Sequence, residues 1–142
     1  MIEAGRQSAV GSRRSGEAGL DGQIRSYRDL RVWQLSIELT VECYAATNSF
    51  PPAEIYGLTS QIRRSATSIA ANIAEGYGRE NRGSYLQFLR IAQGSLKELE
   101  THLIVSQRLG FLDAVLEGSL LSRSEDVGKM LRSLIRSLEK AA

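Results

Sequence analysis

Four successive segments of the chain carry apolar residues at spacings of three and four, and this period constrains the fold most. The segments follow Tyr27, the Pro51-Pro52 pair, Asn81 and Asp113. Such spacing places apolar side chains on one face of an α-helix. No segment shows the alternation of a half-buried strand, and no internal repeat is present. Joined by short connections, the segments predict an all-α, antiparallel up-down-up-down four-helix bundle.

The predicted core takes one apolar stripe from each helix. The first stripe is Leu30, Trp33, Ile37, Val41 and Tyr44. The second is Leu58, Ile62, Ile69 and Ile73, with Ala66 and Ala70 between them. The third is Tyr85, Leu89, Ala92, Leu96, Leu99 and Leu103. The fourth is Leu116, Leu120, Val127, Met130, Leu131, Leu134 and Leu138.

Capping and breaking residues mark the limits of the first two helices. Ser26 or Asp29 can cap the first helix, and the Pro51-Pro52 pair ends it. Because proline is favoured in the first turn of a helix, the second helix is predicted to begin near Pro52. Gly76 is predicted to end that helix as a left-handed cap.

The third and fourth helices have clear limits of their own. The third helix is predicted to start within residues 81–84 and to end near Leu109, with Gly110 closing it. The fourth helix is predicted to start near Asp113 and to end near the C-terminus. Gly118 and Gly128 each cost this helix about 1 kcal/mol relative to alanine, so a break or a late start is expected.

Residues 1–25 have a different composition from the rest of the chain. Glycine, serine and arginine dominate this segment, which contains few apolar residues. Such a segment cannot bury enough surface to offset its ordering entropy. We therefore predict a disordered tail at 1–25 and the bundle at 26–142, the alternative being a start codon assigned too early.

Composition excludes several classes of protein. The net charge is +2, so no strong global field draws the protein to nucleic acid or membrane. Cys43 is the only cysteine, which excludes an intrachain disulfide and a cysteine-based zinc site. No run of about 18 apolar residues is present, nor the apolar core of a signal peptide. We expect a cytoplasmic protein with no membrane segment.

The residues needed for catalysis are not assembled in any known pattern. His102 is the only histidine, and Leu99 stands where the Glu-x-x-His motif of a bundle metal site needs glutamate. The glycine-rich segment 76–83, GYGRENRG, is not a phosphate-binding loop of the GxxxxGK[ST] type. Cys43 suits a small core position. We predict a non-enzymatic protein without metal or cofactor.

The hairpin of the second and third helices carries small residues and two unusual polar ones. If the chain turns near Arg79, Gly94 lies opposite the second helix, where close packing would explain a glycine and Gly94→Leu would be disruptive. Glu75 lies in a last helical turn, where the dipole disfavours a carboxylate. Its expected partner is Arg79 or a free backbone N–H. Alternatively, Asn72 and Glu75 form a polar ligand site.

Arginine offers the one candidate for ligand binding. Arg63, Arg64, Arg79 and Arg82 lie on one predicted hairpin, and guanidinium groups pair bidentately with phosphate. They are the predicted nucleic-acid-binding residues. Carboxylates lie in the same hairpin, so a solvated, salt-bridged face is the alternative.

Three segments carry a resemblance to a known family. They are "YRDLRVWQLSIEL", "FPPAEIYGLTSQIRRSATSIAANIAEGYGR" and "YLQFLRIAQGSLKELETHLIVSQRLGFL". They resemble the four-helix-bundle family encoded by intervening sequences within bacterial 23S ribosomal RNA genes. The family motif includes Asn72, Glu75, Gly76, Gly78 and Gly94, which we interpret mainly as a fold signature.

The same family is similar to the accessory protein of diversity-generating retroelements. That relative forms a pentameric barrel that binds nucleic acid and a reverse transcriptase. The resemblance therefore implies a homo-oligomer, with a pentamer favoured, that binds structured RNA or DNA as an adaptor. The alternative is a self-assembling protein-interaction module, such as a reverse-transcriptase partner, that binds no nucleic acid directly.

Overall fold

The computed structural model describes residues 23–141, which form four α-helices and two short 3-10 turns. The helices are α1 (Arg31–Thr47), α2 (Leu58–Tyr77), α3 (Arg82–Arg108) and α4 (Ala114–Lys140). The 3-10 turns are Tyr27–Asp29 and Pro52–Glu54. The predicted all-α bundle is confirmed. Residues 1–22, most of the predicted disordered tail, lie outside the described residues.

The four helices pack in a closed ring around one core. Each helix contacts its neighbours in the chain, and α4 closes the ring against α1. The fully buried large side chains come from all four helices: Leu39, Ile62, Ile69, Ile73, Leu89, Leu96, Leu99, Leu103, Leu120, Leu131 and Val127. Among residues 23–141, no helix is long and apolar enough to cross a membrane.

The predicted inward stripe of α1 is only partly right, because Leu30 and Trp33 pack against the core but Ile37, Val41 and Tyr44 are exposed. The structure buries Val32, Ser36, Leu39, Cys43, Ala46 and Thr47 instead. Val41 is 62% exposed, Tyr44 43% and Ile37 37%. Periodicity alone could not choose between these faces because both are spaced at three and four. The structure uses the face with the smaller residues, which allows α1 to approach its neighbours closely.

The start of α2 differs from the prediction at Pro52. That proline begins a 3-10 turn, and Gly57 then adopts a non-helical conformation (φ −110°, ψ −118°) before the helix begins. The side-chain Oε1 of Glu54 accepts a hydrogen bond from the backbone N–H of Leu58 at 3.0 Å. A carboxylate four residues upstream therefore satisfies one of the free donors at this helix start.

Gly76 is not a left-handed cap. It lies inside α2, is buried, and has no positive φ; Gly110, at φ 83°, is the left-handed glycine among residues 23–141. A Cβ on Gly76 would lie 2.8 Å from the Cβ of Phe88 and 3.2 Å from the carbonyl oxygen of Tyr85. Gly76 therefore allows α3 to cross closely over α2, which is the role that the sequence assigned to Gly94.

Gly94 does not pack against α2, and this prediction is also wrong. It is exposed, and a Cβ built on it meets nothing within 4 Å. Its neighbour Ser95 is the residue that contacts α2, through a 2.8 Å hydrogen bond with Ser68. The two positions differ by about 100° around the helix axis, so a one-residue difference in register moves the glycine to solvent.

Helix α4 is continuous, in contrast to the break expected at its glycines. Gly118 faces open space, whereas a Cβ on Gly128 would lie 3.2 Å from Cδ2 of Leu96. Gly128 therefore brings α4 close to α3, and this contact offsets its low helix propensity.

The starts of α3 and α4 are confirmed, and each has a side-chain cap. The Oδ1 of Asn81 accepts a hydrogen bond from the backbone N–H of Ser84 at 2.8 Å. The Oδ1 of Asp113 accepts one from the backbone N–H of Leu116 at 2.7 Å.

Because Asp113 caps α4, Asp113→Ala should lower the free energy of unfolding by about 1 kcal/mol. Urea denaturation measures this change, and Asp126→Ala, on the exposed surface of α4, is the control. Equal effects of the two substitutions would contradict a capping role.

Candidate nucleic-acid interface

The four predicted arginines form two pairs rather than one patch. Arg63 and Arg64 lie near the start of α2, whereas Arg79 and Arg82 flank the turn into α3. At 1.5 Å per residue, the helix separates the two pairs by roughly 20 Å. One phosphate group could contact one pair, but a longer ligand would be needed to contact both.

Arg63 is engaged in holding α1 against α2. Its Nε donates to Oγ1 of Thr47 at 2.9 Å, and its Nη2 donates to Oδ1 of Asn48 at 3.1 Å and to the carbonyl oxygen of Tyr44 at 3.4 Å. Its guanidinium also lies 4.6 Å from the ring centroid of Tyr44. These contacts join the guanidinium to the C-terminal turn of α1, where free carbonyls attract a cation.

Arg64, the next residue, is in a different environment. It is exposed and has no ion pair or hydrogen bond with the rest of residues 23–141. It lines an open groove between α1 and α2, with Tyr44, Ile55, Thr67 and Ala71 among the neighbouring lining residues. Its guanidinium can therefore meet a ligand without breaking an existing contact.

The second pair is partly committed to internal contacts. Arg79 Nη2 donates to Oε2 of Glu75 at 2.8 Å, with both side chains about half exposed, and its guanidinium lies 5.0 Å from the ring centroid of Phe88. Arg82 Nη1 donates to the carbonyl oxygen of Ala141 at 3.0 Å, which joins the start of α3 to the end of α4. An exposed ion pair contributes little to stability, so Arg79 can exchange Glu75 for a phosphate.

Asn72 and Glu75 have separate structural partners, which favours their structural interpretation. Asn72 Nδ2 donates to the carbonyl oxygen of Ser68 at 2.8 Å and to its Oγ at 2.9 Å. The same Oγ bonds Ser95, so the amide supports the polar contact between α2 and α3. Glu75 pairs with Arg79, one of its two expected partners.

Gly78 caps the C-terminus of α2 with ordinary backbone angles. Its φ is −74°, and its N–H donates to the carbonyl oxygens of Ala74 and Gly76. A Cβ at this position would make only ordinary contact, 3.6 Å from the carbonyl oxygen of Glu75. Gly78 therefore completes the turn without lining a ligand site.

The groups that could supply chemistry are isolated from one another. Burial raises the pKa of the Cys43 thiol to about 12, with Glu42 adding to the shift, so the nucleophilic thiolate is suppressed. His102 is partly buried, and its Nε2 lies 3.5 Å from Oε2 of Glu98 on the same helix. Across residues 23–141, no group of three or more histidine, cysteine, aspartate or glutamate residues could hold a metal ion.

The sequence did not predict the exposed apolar face that adjoins the Arg64 groove. We define the α1 ridge as Ile37, Val41 and Tyr44, which the sequence had assigned to the core. Ile55 and Tyr56 project from the following loop and are 49% and 93% exposed. The sequence did contain a signal for this face, since α1 carries two apolar stripes. A helix in a four-helix ring buries one stripe in the core, so the second stripe indicates an exposed apolar surface.

Comparison with protein-family models places this fold among known relatives. The family described as 23S rRNA-intervening sequence protein matches residues 28–133. That match covers all of α1, α2 and α3 and most of α4. A comparison with curated proteins found no match.

A solved structure agrees with the family match. The chain is similar to a protein with unknown function from the S23 ribosomal protein family of Bacteroides thetaiotaomicron VPI-5482. The two share 28% identity and superpose with a TM-score of 0.67, over 73% of this chain and 97% of the other. Together with the family match over residues 28–133, this shows that the chain belongs to the 23S rRNA-intervening sequence protein family.

Proposed function

We propose that this protein is a non-enzymatic adaptor that self-associates through the α1 ridge and binds structured RNA in its assembled form. The observation that carries the proposal is the ridge itself. The side chains of Ile37, Val41 and Tyr44 are exposed along one face of α1, and Tyr44 also lines the Arg64 groove of about 560 Å³. Exposed apolar groups arranged in this way are typical of protein contact surfaces.

The size of the ridge indicates what else the contact must include. Complete burial of an aliphatic or aromatic side chain is worth about 1.5–3 kcal/mol, and the ridge side chains are already partly buried. Association costs an estimated 4–15 kcal/mol in lost freedom of motion. The ridge alone is therefore too small, and we include Ile55 and Tyr56 in the contact. The resemblance favours a pentamer.

RNA binding rests on Arg64, Arg79 and Arg82, with Arg63 assigned mainly to structure. Arg64 is unpaired within residues 23–141, and Arg79 is held by an exposed ion pair. Self-association would repeat these cations around an assembly, which compensates for the net charge of only +2 per chain. The choice of RNA follows the resemblance described above, which implies binding of structured RNA or DNA.

Self-association is tested with a charge placed on the ridge. The wild type should be an oligomer and Val41→Asp a folded monomer, because the substitution would bury an unpaired carboxylate in the contact. Light scattering coupled to size-exclusion chromatography measures the mass. Val115→Asp is the matched control, since Val115 is 86% exposed on α4. A monomeric wild type, or an unchanged mass for Val41→Asp, would overturn the proposed contact.

RNA binding is tested by fluorescence anisotropy with a structured RNA at several salt concentrations. The wild type should lose affinity with salt at a slope of about −0.7 to −0.9 per phosphate neutralised. The Arg64→Ala/Arg79→Ala/Arg82→Ala variant should bind more weakly and with a shallower slope. Circular dichroism confirms that it remains folded. If the wild type binds no RNA at low salt, the alternative of an interaction module without nucleic acid is favoured.

A further inference from the structure

A second groove lies between α3 and α4, away from the four arginines considered above. Its lining consists of Arg90, Gln93, Gly94, Leu96, Lys97, Gly128 and Arg132. Three of these seven residues are cations, and none is an acid. The lining therefore combines positive charge with open space beside Gly94.

The glycines explain the shape of this groove. Gly128 brings α4 towards Leu96, as its 3.2 Å hypothetical Cβ contact shows. Close packing does not explain the glycine at position 94, because no atom lies within 4 Å of a Cβ built there. A helical glycine costs about 1 kcal/mol relative to alanine. The consequence of glycine at this position is open space between cationic side chains.

The charges around the groove are only partly neutralised. Arg90 pairs with Glu139 at 2.6 Å and Lys97 with Glu100 at 3.1 Å, but neither carboxylate lines the groove. Arg132 has no ion pair or hydrogen bond within residues 23–141. Beyond Gly128, α4 carries Lys129, Arg132, Arg136 and Lys140 against the single carboxylate Glu139. The C-terminal half of α4 thus extends the positive field along the groove.

We infer that the Gly94–Gly128 groove is a phosphate-binding site that takes the phosphodiester backbone of RNA. Arg132 supplies an unpaired guanidinium, which can donate two parallel hydrogen bonds to a phosphate. Lys97 and the amide of Gln93 supply further donors from α3. Because a Cβ on Gly94 would meet no atom within 4 Å, a phosphate has room to lie beside this glycine, between these donors. The choice of RNA as the source of the phosphate rests on the proposed function.

The sharpest variant fills the groove without changing its charge. Gly94→Leu places an aliphatic side chain between the donors, and the open space around Gly94 allows the fold to accommodate it. Gly118→Leu is the matched control, because Gly118 is also exposed in a helix with no atom near a hypothetical Cβ. Arg132→Ala removes the unpaired cation, and Arg108→Ala, at an exposed position at the end of α3, controls for the loss of one charge.

The experiment uses the full chain with two probes. Anisotropy with a structured RNA should show about fivefold to tenfold weaker binding for Gly94→Leu and Arg132→Ala, as expected for the loss of a charge-assisted contact. Arg132→Ala should also reduce the salt slope by about one contact. Both controls should bind like the wild type. NMR titration with inorganic pyrophosphate should shift the Gly128 amide in the wild type and not in Gly94→Leu.

The two probes separate this inference from the proposed function. If RNA binds the wild type and Gly94→Leu equally and pyrophosphate leaves Gly128 unshifted, the groove is not a phosphate site, although RNA binding stands. If pyrophosphate shifts Gly128 but no RNA binds, the groove remains a phosphate site and RNA is the wrong source. If neither probe binds, both the inference and the RNA-binding function are overturned.

Discussion

Replacing Gly76 by leucine should lower the free energy of unfolding by about 1–3 kcal/mol or more, because the α2–α3 contact has no room for a side chain. Even the first added carbon would lie 2.8 Å from the Cβ of Phe88 and 3.0 Å from Cδ1 of Tyr85. A Cβ moves only with its backbone, so α3 itself would have to shift. Gly76→Ala should already be destabilising, which is unusual for a glycine-to-alanine change inside a helix.

The same substitution at Gly94 is the matched control. Gly94→Leu should leave stability unchanged or raise it by up to about 1 kcal/mol, because leucine is a better helix former and its Cβ would have no atom within 4 Å. Urea denaturation of both variants, at equal protein concentration, measures the difference. A destabilised Gly94→Leu together with a tolerated Gly76→Leu would show that the register of α3 against α2 is not the one described.

These two glycines show how far the sequence could predict the packing. The hairpin, its turn, the small-residue contact between α2 and α3 and the starts of α3 and α4 were all predicted from the pattern. The sequence did not predict that Gly76, rather than Gly94, makes this contact. The identity of the contact residue depends on the rotation of α3 about its own axis, and apolar spacing defines that rotation no better than about one residue.

The face of α1 is a second case of the same limit. Its two apolar stripes have the same period, and hydropathy favours the one with tryptophan, isoleucine and tyrosine. The structure instead buries Cys43 and Ala46, because small side chains allow α1 to fit between α2 and α4. What the sequence identified as core is partly an exposed surface. The error therefore points directly to the proposed contact surface.

The candidate site was predicted in part. All four arginines lie on the α2–α3 hairpin as expected, but the length of α2 separates them into two pairs. The partners of Arg63 come from the end of α1, across a loop whose path the sequence does not reveal. Arg90, further along α3, lines the α3–α4 groove with Arg132, a residue from the last helix. Contacts between distant segments require the three-dimensional arrangement.

Arg63 and Arg64 provide the clearest separation of structural from ligand-binding arginines. Arg63→Ala should lower the free energy of unfolding by about 1–2 kcal/mol, because a hydrogen-bonded charged group contributes that order even when partly exposed. The largest loss is the bond to Thr47, whose side chain is buried. Arg64→Ala should change stability by less than about 0.5 kcal/mol, as expected for a surface residue without partners.

Lysine at position 63 sharpens this comparison. Arg63→Lys keeps the charge but loses the planar fork that contacts Thr47 and Asn48 together while stacking on Tyr44. It should therefore restore little of the lost stability, whereas Arg64→Lys should leave stability unchanged and weaken RNA binding less than Arg64→Ala, because it keeps the charge and loses only the bidentate pairing. Urea denaturation and RNA anisotropy on the same four variants measure both properties. If Arg63→Ala is as stable as Arg64→Ala, Arg63 does not stabilise the contact between α1 and α2. Arg63 would then be available to bind the ligand, as Arg64 is.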